Sequence, residues 1–250
     1  MTPSFGRSFR RRRVEFLLVS GQATVLYGAA AFSEDIDLWV NPTPANLGRL
    51  RLALEDLRAR AYKLTPPLTA RNARRRHGFH FLIPARPSPI YLDVMGCPPR
   101  VDPFSACKAR SVMLRTAMGF IPVLGIEDLV KIKKTRRLGD YEIISALVRI
   151  RLRKAGAHPG KALLRWALLN SFSEEDLAGI LAAHPGAARI ARGLARPALR
   201  RLARPDACRR ALAAEIAEHQ RRDVAYWKPV LADLRRLRAG DRLLTEGSLL

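Results

Sequence analysis

Residues 20–28 read Ser20-Gly21-Gln22-Ala23-Thr24-Val25-Leu26-Tyr27-Gly28, and residues 33–38 read Ser33-Glu34-Asp35-Ile36-Asp37-Leu38. The apolar run before them, Val14 to Val19, has the length of a strand and stops at Ser20-Gly21. Gln22 to Ala29 then suits a short buried helix, so a strand feeds a helix through a glycine turn. Asp37 to Val40 reads as a second strand, headed by Asp35. On an extended chain residues i and i+2 share a face, which sets Asp35 and Asp37 side by side while Ile36 and Leu38 turn into the core. Two adjacent carboxylates repel each other. They are comfortable when both are solvated or when a divalent cation neutralises them, and Mg²⁺ prefers hard oxygen ligands of this kind.

Asn41-Pro42 stops the second strand, Thr43 has the position of an N-cap with Pro44 at the first helical place, and Leu47, Leu50, Leu54 and Leu57 form an apolar stripe. That helix is expected to cover a sheet. Phe79 to Ile83 and Ile90 to Met95 read as two more strands joined by a Pro-rich turn, a hairpin arrangement. Asp93 is a lone charge inside the second of them. If this strand lies beside the Asp35/Asp37 strand, three carboxylates converge, enough to hold one or two metal ions for displacement at phosphorus. Gly21, at the strand-to-helix turn, allows backbone N–H groups to approach phosphates, and a helix N-terminus favours their charge. His80 alternates with Phe79 and Phe81, and reads either as a hydrogen-bonded structural histidine or as a neighbour of the acidic centre.

The arginine-dense stretch Ala70 to His77 is expected to be a mobile loop, and the cluster Arg10 to Arg13 a solvated N-terminal arm or a phosphate contact. A helix from Ile126 carries Glu127 and Asp128 in its first turn and closes in Lys133, Lys134, Arg136 and Arg137, the charge order a helix dipole favours. Lys133 and Arg137, spaced i, i+4, either clamp a triphosphate together or face water. Asp140 opens the next helix, capping it or pairing with Arg137. Beyond about residue 155 the pattern is helical throughout: one helix near Lys161 to Leu169, one after Ser173, then a long Arg/Ala-rich pair leading to Trp227, punctuated by prolines.

The ordered combination of strand, Ser-Gly turn, short helix, D-x-D at the head of a strand and an isolated strand aspartate resembles the polymerase β-like nucleotidyltransferase superfamily, in its small bacterial branch of uncharacterised and toxin–antitoxin-associated proteins. The matching residues are Gly21-Gln22-Ala23, Gly28, Phe32 to Leu38, Asp93-Val94-Met95, Phe104, Ile126 to Val130 and Lys133 to Tyr141, covering about residues 14–150. The resemblance implies an α+β fold with a nucleotidyltransferase-like domain over 1–150, a mixed β-sheet flanked by helices; the change of sequence texture, from short apolar runs with Pro/Gly breaks to Ala, Leu and Arg at helical spacing, leads us to expect a basic all-α domain over 151–250. The resemblance also implies Asp35, Asp37 and Asp93 as catalytic metal carboxylates for Mg²⁺ or Mn²⁺, Ser20, Gly21 and Ser33 along the phosphate side, and Lys133 and Arg137 near the nucleotide. The activity it implies is transfer of a nucleoside monophosphate from an NTP to a hydroxyl on RNA (a tRNA end), a protein such as a toxin or antitoxin partner, or a small molecule. Ser20 replaces the usual first glycine, and Ala31 stands where many relatives carry arginine. These departures suit the alternative of a catalytically silent member that binds RNA or a protein partner.

Composition frames these readings. The chain has 250 residues, 48% of them hydrophobic, and 45 Lys plus Arg against 22 Asp plus Glu, a formal charge of +23. Such a balance points to a polyanionic partner, although a GC-rich genome also inflates Arg and Ala. The 3 cysteines are widely spaced and show no C-x-x-C pair, which excludes a zinc ribbon or redox motif and suits a reducing cytoplasm. No apolar stretch reaches the ~18 residues of a membrane span.

Overall fold

A computed structural model describes residues 3–116 and 119–249. The first element, α1 (Pro3–Arg11), lies where the sequence suggests a solvated arm. Phe5 and Phe9, one turn apart, are buried and stacked with ring centroids 4.3 Å apart, and Phe9 meets Phe16 edge-on at 5.5 Å. An i, i+4 aromatic pair buries enough apolar surface to dock a helix whose other face is arginine. The cations are docked as well. Arg12 donates from Nε and Nη2 to Asp56 at 2.8 and 2.7 Å, and Ser8 donates to the same carboxylate at 3.0 Å.

The Val14 run yields β1 (Phe16–Val19), which leads into α2 (Ser20–Tyr27) and then β2 (Ile36–Val40). α3 (Pro44–Asp56) starts as its sequence indicates, with the Thr43 side chain accepting from the Asn46 N–H, and it buries Leu47, Leu50 and Leu54. After the two-residue β3 (Arg60–Ala61) comes α4 (Ala70–Arg74), where a mobile loop is expected. The correction has a local cause: Thr69 caps the helix by accepting from Asn72 N–H, and Asn72 donates to the Pro67 carbonyl at 2.9 Å. The hairpin strands follow as β4 (Gly78–Ile83) and β5 (Ile90–Met95), and then α5 (Phe104–Ala109). An antiparallel pair not foreseen from the sequence comes next, β6 (Val112–Thr116) and β7 (Gly119–Val123).

These strands make one mixed sheet of 7 strands in the order β3-β4-β5-β2-β1-β7-β6. β2 lies antiparallel to β1 and parallel to β5, and β1 pairs with β7 in parallel at Leu18 and Val123. Alternation then sorts the side chains. Ile36, Leu38, Phe79, Phe81, Ile83, Leu92 and Val94 are all buried, while Asp37, His80 and Asp93, out of phase with them, are only partly so.

The rest of the chain is helical: α6 (Ile126–Lys133), α7 (Gly139–Lys154), α8 (Lys161–Asn170), α9 (Glu174–Ala183), α10 (Ala187–Arg192), α11 (Pro197–Arg200) and α12 (Pro205–Ala239). The expected pair of long helices before Trp227 is instead two short helices and a single one of 35 residues, continuous through Pro229. Two compact units are distinguished. One comprises Met1–Leu26, Ala30–Ile132 and Tyr226–Leu250; the other comprises Tyr27–Ala29 and Lys133–Ala225. They are interleaved in sequence, whereas the change of sequence texture suggests one boundary near residue 150. In the first unit the end of the chain returns to the sheet edge, where Ala61 N–H donates to the Ser248 carbonyl at 2.9 Å and Leu244 N–H to that of Thr65 at 2.8 Å. The second unit has its own core, built on Val148, Leu164, Leu168, Leu177, Leu194 and Leu212. No helix among the described residues is long and apolar enough to cross a membrane.

Acid sensitivity follows from how the first unit fixes its helices. Hydrogen bonds from Arg12 and then Arg11 hold the Asp56 carboxyl well below the usual range, and His77, then Arg75, do the same to Asp233 on α12. A depressed folded pKa adds stability above the unfolded value of about 3.9, and that stability is lost as pH falls through the folded value. Urea midpoints are expected to hold steady from about pH 7 to 5 and to drop below about pH 4. Asp233→Asn should lower the midpoint at neutral pH and flatten the acid limb; an unchanged limb would mean that Asp233 does not set it.

Candidate functional site

The parallel register of β2 on β5 sets Ile36 opposite Leu92, Asp37 opposite Asp93 and Leu38 opposite Val94. The antiparallel register of β4 on β5 sets His80 opposite Asp93, and that of β1 on β2 sets Val19 opposite Asp37. Val19, Asp37, Asp93 and His80 therefore form one row across four adjacent strands. Neighbouring strands are about 4.8 Å apart, so Asp37 and Asp93 are side by side in the sheet. His80 belongs to this centre as well: its Nδ1 lies 2.7 Å from Asp93 Oδ1. A carboxylate offers only lone pairs, so Nδ1 carries the proton and donates. The other end of the ring lies over Gly78, where a Cβ would come within 3.3 Å of Nε2. A side chain at 78 would press on the imidazole, which explains glycine two residues before it on the same face.

Asp35 stands just before β2 and is partly buried. Among the described residues, its oxygens and those of Asp37 and Asp93 are not gathered within 4.8 Å of one another; the group that meets that distance is Asp102, Cys107 and Asp128. The carboxylate set still suits a hard divalent cation in chemistry, with Asp37 and Asp93 in register and Asp35 at the head of the same strand.

The turn into α2 is tightly built. Ser20 has φ +54°, the left-handed region that glycine enters without strain. Gly21 is needed for a close approach: a Cβ there would fall 2.2 Å from Ser33 Oγ and 2.9 Å from Ser33 Cβ. Gln22 Nε2 donates to the Ser33 carbonyl at 2.7 Å, and Ser33 Oγ donates to the Asp35 carbonyl at 3.3 Å. The chain entering β2 is thus strapped to the first turn of α2, so the glycine that suggests a phosphate approach is covered on its Cβ side by Ser33. Phe32 in this strap is 76% exposed, although large aromatic residues are usually buried.

No protein-family model matches the chain, and no curated protein matches it.

Lys133 and Arg137 belong to the second unit and do not share a helix face. α6 ends at Lys133, and Arg137 lies in the connection to α7, exposed. Lys133 is buried, with Nζ donating to Asp140 Oδ1 at 2.8 Å, and Thr135 Oγ1 donates to the other oxygen of that carboxylate. Thr135 also accepts from the Arg137 N–H at 3.0 Å. The helical clamp is therefore corrected: Asp140 takes Lys133 as its partner and Thr135 turns the chain after the helix.

The Asp102–Cys107–Asp128 group was not legible in the sequence, since its members come from separate elements. Arg110 occupies it. Its Nη2 donates to Asp102 at 2.6 Å and lies 3.1 Å from Cys107 Sγ, and its Nε and Nη2 reach Asp128, which also holds Lys131 at 2.9 Å. Burial, reinforced by Asp128, pushes the Cys107 thiol up to about 11, so it stays protonated at neutral pH. A guanidinium and a neutral thiol do not fit a metal site; the group is a structural ion cluster.

The Gly21–Ser33 contact is expected to be costly to disturb. Gly21→Ala should destabilise by about 1–3 kcal/mol in urea unfolding, as overpacking does. Adding Ser33→Gly should recover most of the loss, because it removes both clashing atoms. A neutral Gly21→Ala would show that the strap moves freely.

Proposed function

We propose that the protein is a metal-dependent nucleotidyltransferase that moves a nucleoside monophosphate from an NTP to a hydroxyl and releases pyrophosphate. The observation that carries this reading is the register that faces Asp37 with Asp93 on adjacent parallel strands, on the strand next to the turn that opens α2. Asp37, Asp93 and Asp35 would hold Mg²⁺ or Mn²⁺, which supplies charge neutralisation of phosphate oxygens and a more acidic bound hydroxyl. Backbone N–H groups at Ser20 and Gly21, at the start of α2, are suited to phosphate oxygens. His80 fixes Asp93 by its first oxygen, which leaves Oδ2 to take the proton from the acceptor hydroxyl. The acceptor oxygen then bonds to the α-phosphorus as the bond to pyrophosphate breaks, and the pre-set carboxylate spares the reorganisation that a free one would need.

A second reading, a silent member that binds RNA or a protein, is favoured by one observation: the three carboxylates do not meet within 4.8 Å of one another among the described residues. One experiment separates the two. The protein is incubated with each α-labelled NTP, Mg²⁺ or Mn²⁺, and total RNA or cell extract, beside Asp37→Asn. A labelled product with the unaltered protein, reduced at least about 100-fold by Asp37→Asn, is the expected result for loss of a metal ligand. No product, together with no Mg²⁺-dependent shift in melting temperature on adding NTP, would favour the silent reading.

A further inference from the structure

The segment from Ala187 to Arg210 in the second unit is built on two opposed surfaces. Its inward residues Ala187, Leu194, Ala198 and Cys208 are buried in that unit's core, with Ile190, Leu199 and Leu202 packed against them. Its charged positions are almost all of one sign. The segment has eight arginines and a single acid, Asp206. Arg196 is buried and bonded to Glu215, and Arg209 is paired with Glu174 and Asp206. The remaining six, Arg189, Arg192, Arg200, Arg201, Arg204 and Arg210, are exposed and make no side-chain hydrogen bond or ion pair among the described residues. Elsewhere in the same unit Arg149 is matched with Asp176 and Arg221 with Glu218, whereas exposed Arg153 and Arg165 are single cations without a side-chain partner among the described residues. Six exposed guanidiniums without partners, within 22 residues of sequence, offer their donors to phosphate oxygens.

We infer that the outward surface of α10, α11 and the start of α12 binds the phosphate backbone of single-stranded RNA. The form of the surface selects the partner. An anionic membrane calls for exposed apolar side chains beside the cations, and none of the exposed large hydrophobic residues lies between 187 and 210. A DNA duplex presents phosphates in regular rows that suit a long helix or ribbon, whereas these arginines come from helices of 6 and 4 residues, from the turn 201–204 and from the start of α12, broken at Gly193, Pro197 and Pro205. A flexible single strand conforms to such a dispersed set. No aromatic side chain lies in the segment to stack on bases, so recognition is through the backbone and independent of sequence. Naming RNA as the strand rests on the proposed transfer to a hydroxyl, since every RNA nucleotide carries a free 2′-hydroxyl.

Fluorescence anisotropy with a labelled 20-nucleotide RNA, over a salt series, tests this in the full chain. Three variants are compared with the unaltered protein: Arg200→Gln/Arg201→Gln/Arg204→Gln, a control of equal charge change at exposed Arg153, Lys161 and Arg165 of the same unit, and Asp37→Asn. Melting curves check that each is folded. The arginine variant is expected to bind at least tenfold more weakly at ~0.1 M salt and to lose about 2 from the slope of log affinity against log salt, at ~0.7 per phosphate released. The control should lose less than a third of that, and Asp37→Asn should bind RNA as the unaltered protein does. Equal losses in the patch variant and the control would overturn the inference, leaving only diffuse charge. So would tighter binding of a DNA duplex of the same sequence, or binding to anionic lipid vesicles without binding to RNA. RNA binding that survives while no nucleotidyl transfer occurs would count against the proposed reaction alone.

Discussion

A slip of one residue between β2 and β5 would turn the aspartate of the slipping strand, Asp37 or Asp93, into the apolar side of the sheet and put its neighbours, Ile36 and Leu38 or Leu92 and Val94, in its place. The cost is prohibitive, because the aspartate would lose its solvation and each apolar residue its burial. The same register therefore fixes the core and the candidate centre together. Phe79, Phe81, Ile83, Leu92 and Val94 anchor β4 and β5 from one side, and their burial is what holds His80 against Asp93 on the other. The row of polar groups needs no separate support: it is the other half of an alternation that the hydrophobic effect enforces.

The elements legible in the sequence are those whose stabilisation is local. Thr43 and Pro44 mark the start of α3 unaided, and the alternation of Phe79 to Ile83 against Ile90 to Met95 gives the hairpin and its register. Elements that depend on distant partners were obscured. The arginines of α1 mask a Phe5/Phe9 pair whose value appears only once Phe16 is beside it. α4 is held by Thr69 and Asn72 within a run of arginines that reads as loop. β6 and β7 are hidden by Arg115 and Pro122, and Pro122 is tolerated because the pairing of β7 to β1 is at Val123, one residue on. At the site, the carboxylate row could be read because period two is a property of any strand. The Lys133–Asp140 pair could not, because it depends on where α6 stops.

The large positive charge divides into separate roles. Arg12 at Asp56 and Arg110 at Asp128 act as fasteners between elements. Arg196, 4% exposed, bonds the carbonyls of Leu168 and Ser171 at the end of α8 as well as Glu215, so a buried cation satisfies a helix terminus. Arg209 apart, the exposed arginines of 189–210 have no such work inside the protein. Net charge alone therefore says little about partners; what carries information is the subset of cations that the fold leaves unmatched.

Because residues 226–249 belong to the first unit, with Ser248 bonded to Ala61, that unit gathers these pieces only after residues 133–225 have been made. Residues 133–225 are all synthesised before then and include the core of the second unit. During synthesis the first unit therefore stays open while the whole of 133–225 is made. Its two-residue β3 waits at the edge of the sheet with open backbone groups until residues 247–249 emerge to bond with them.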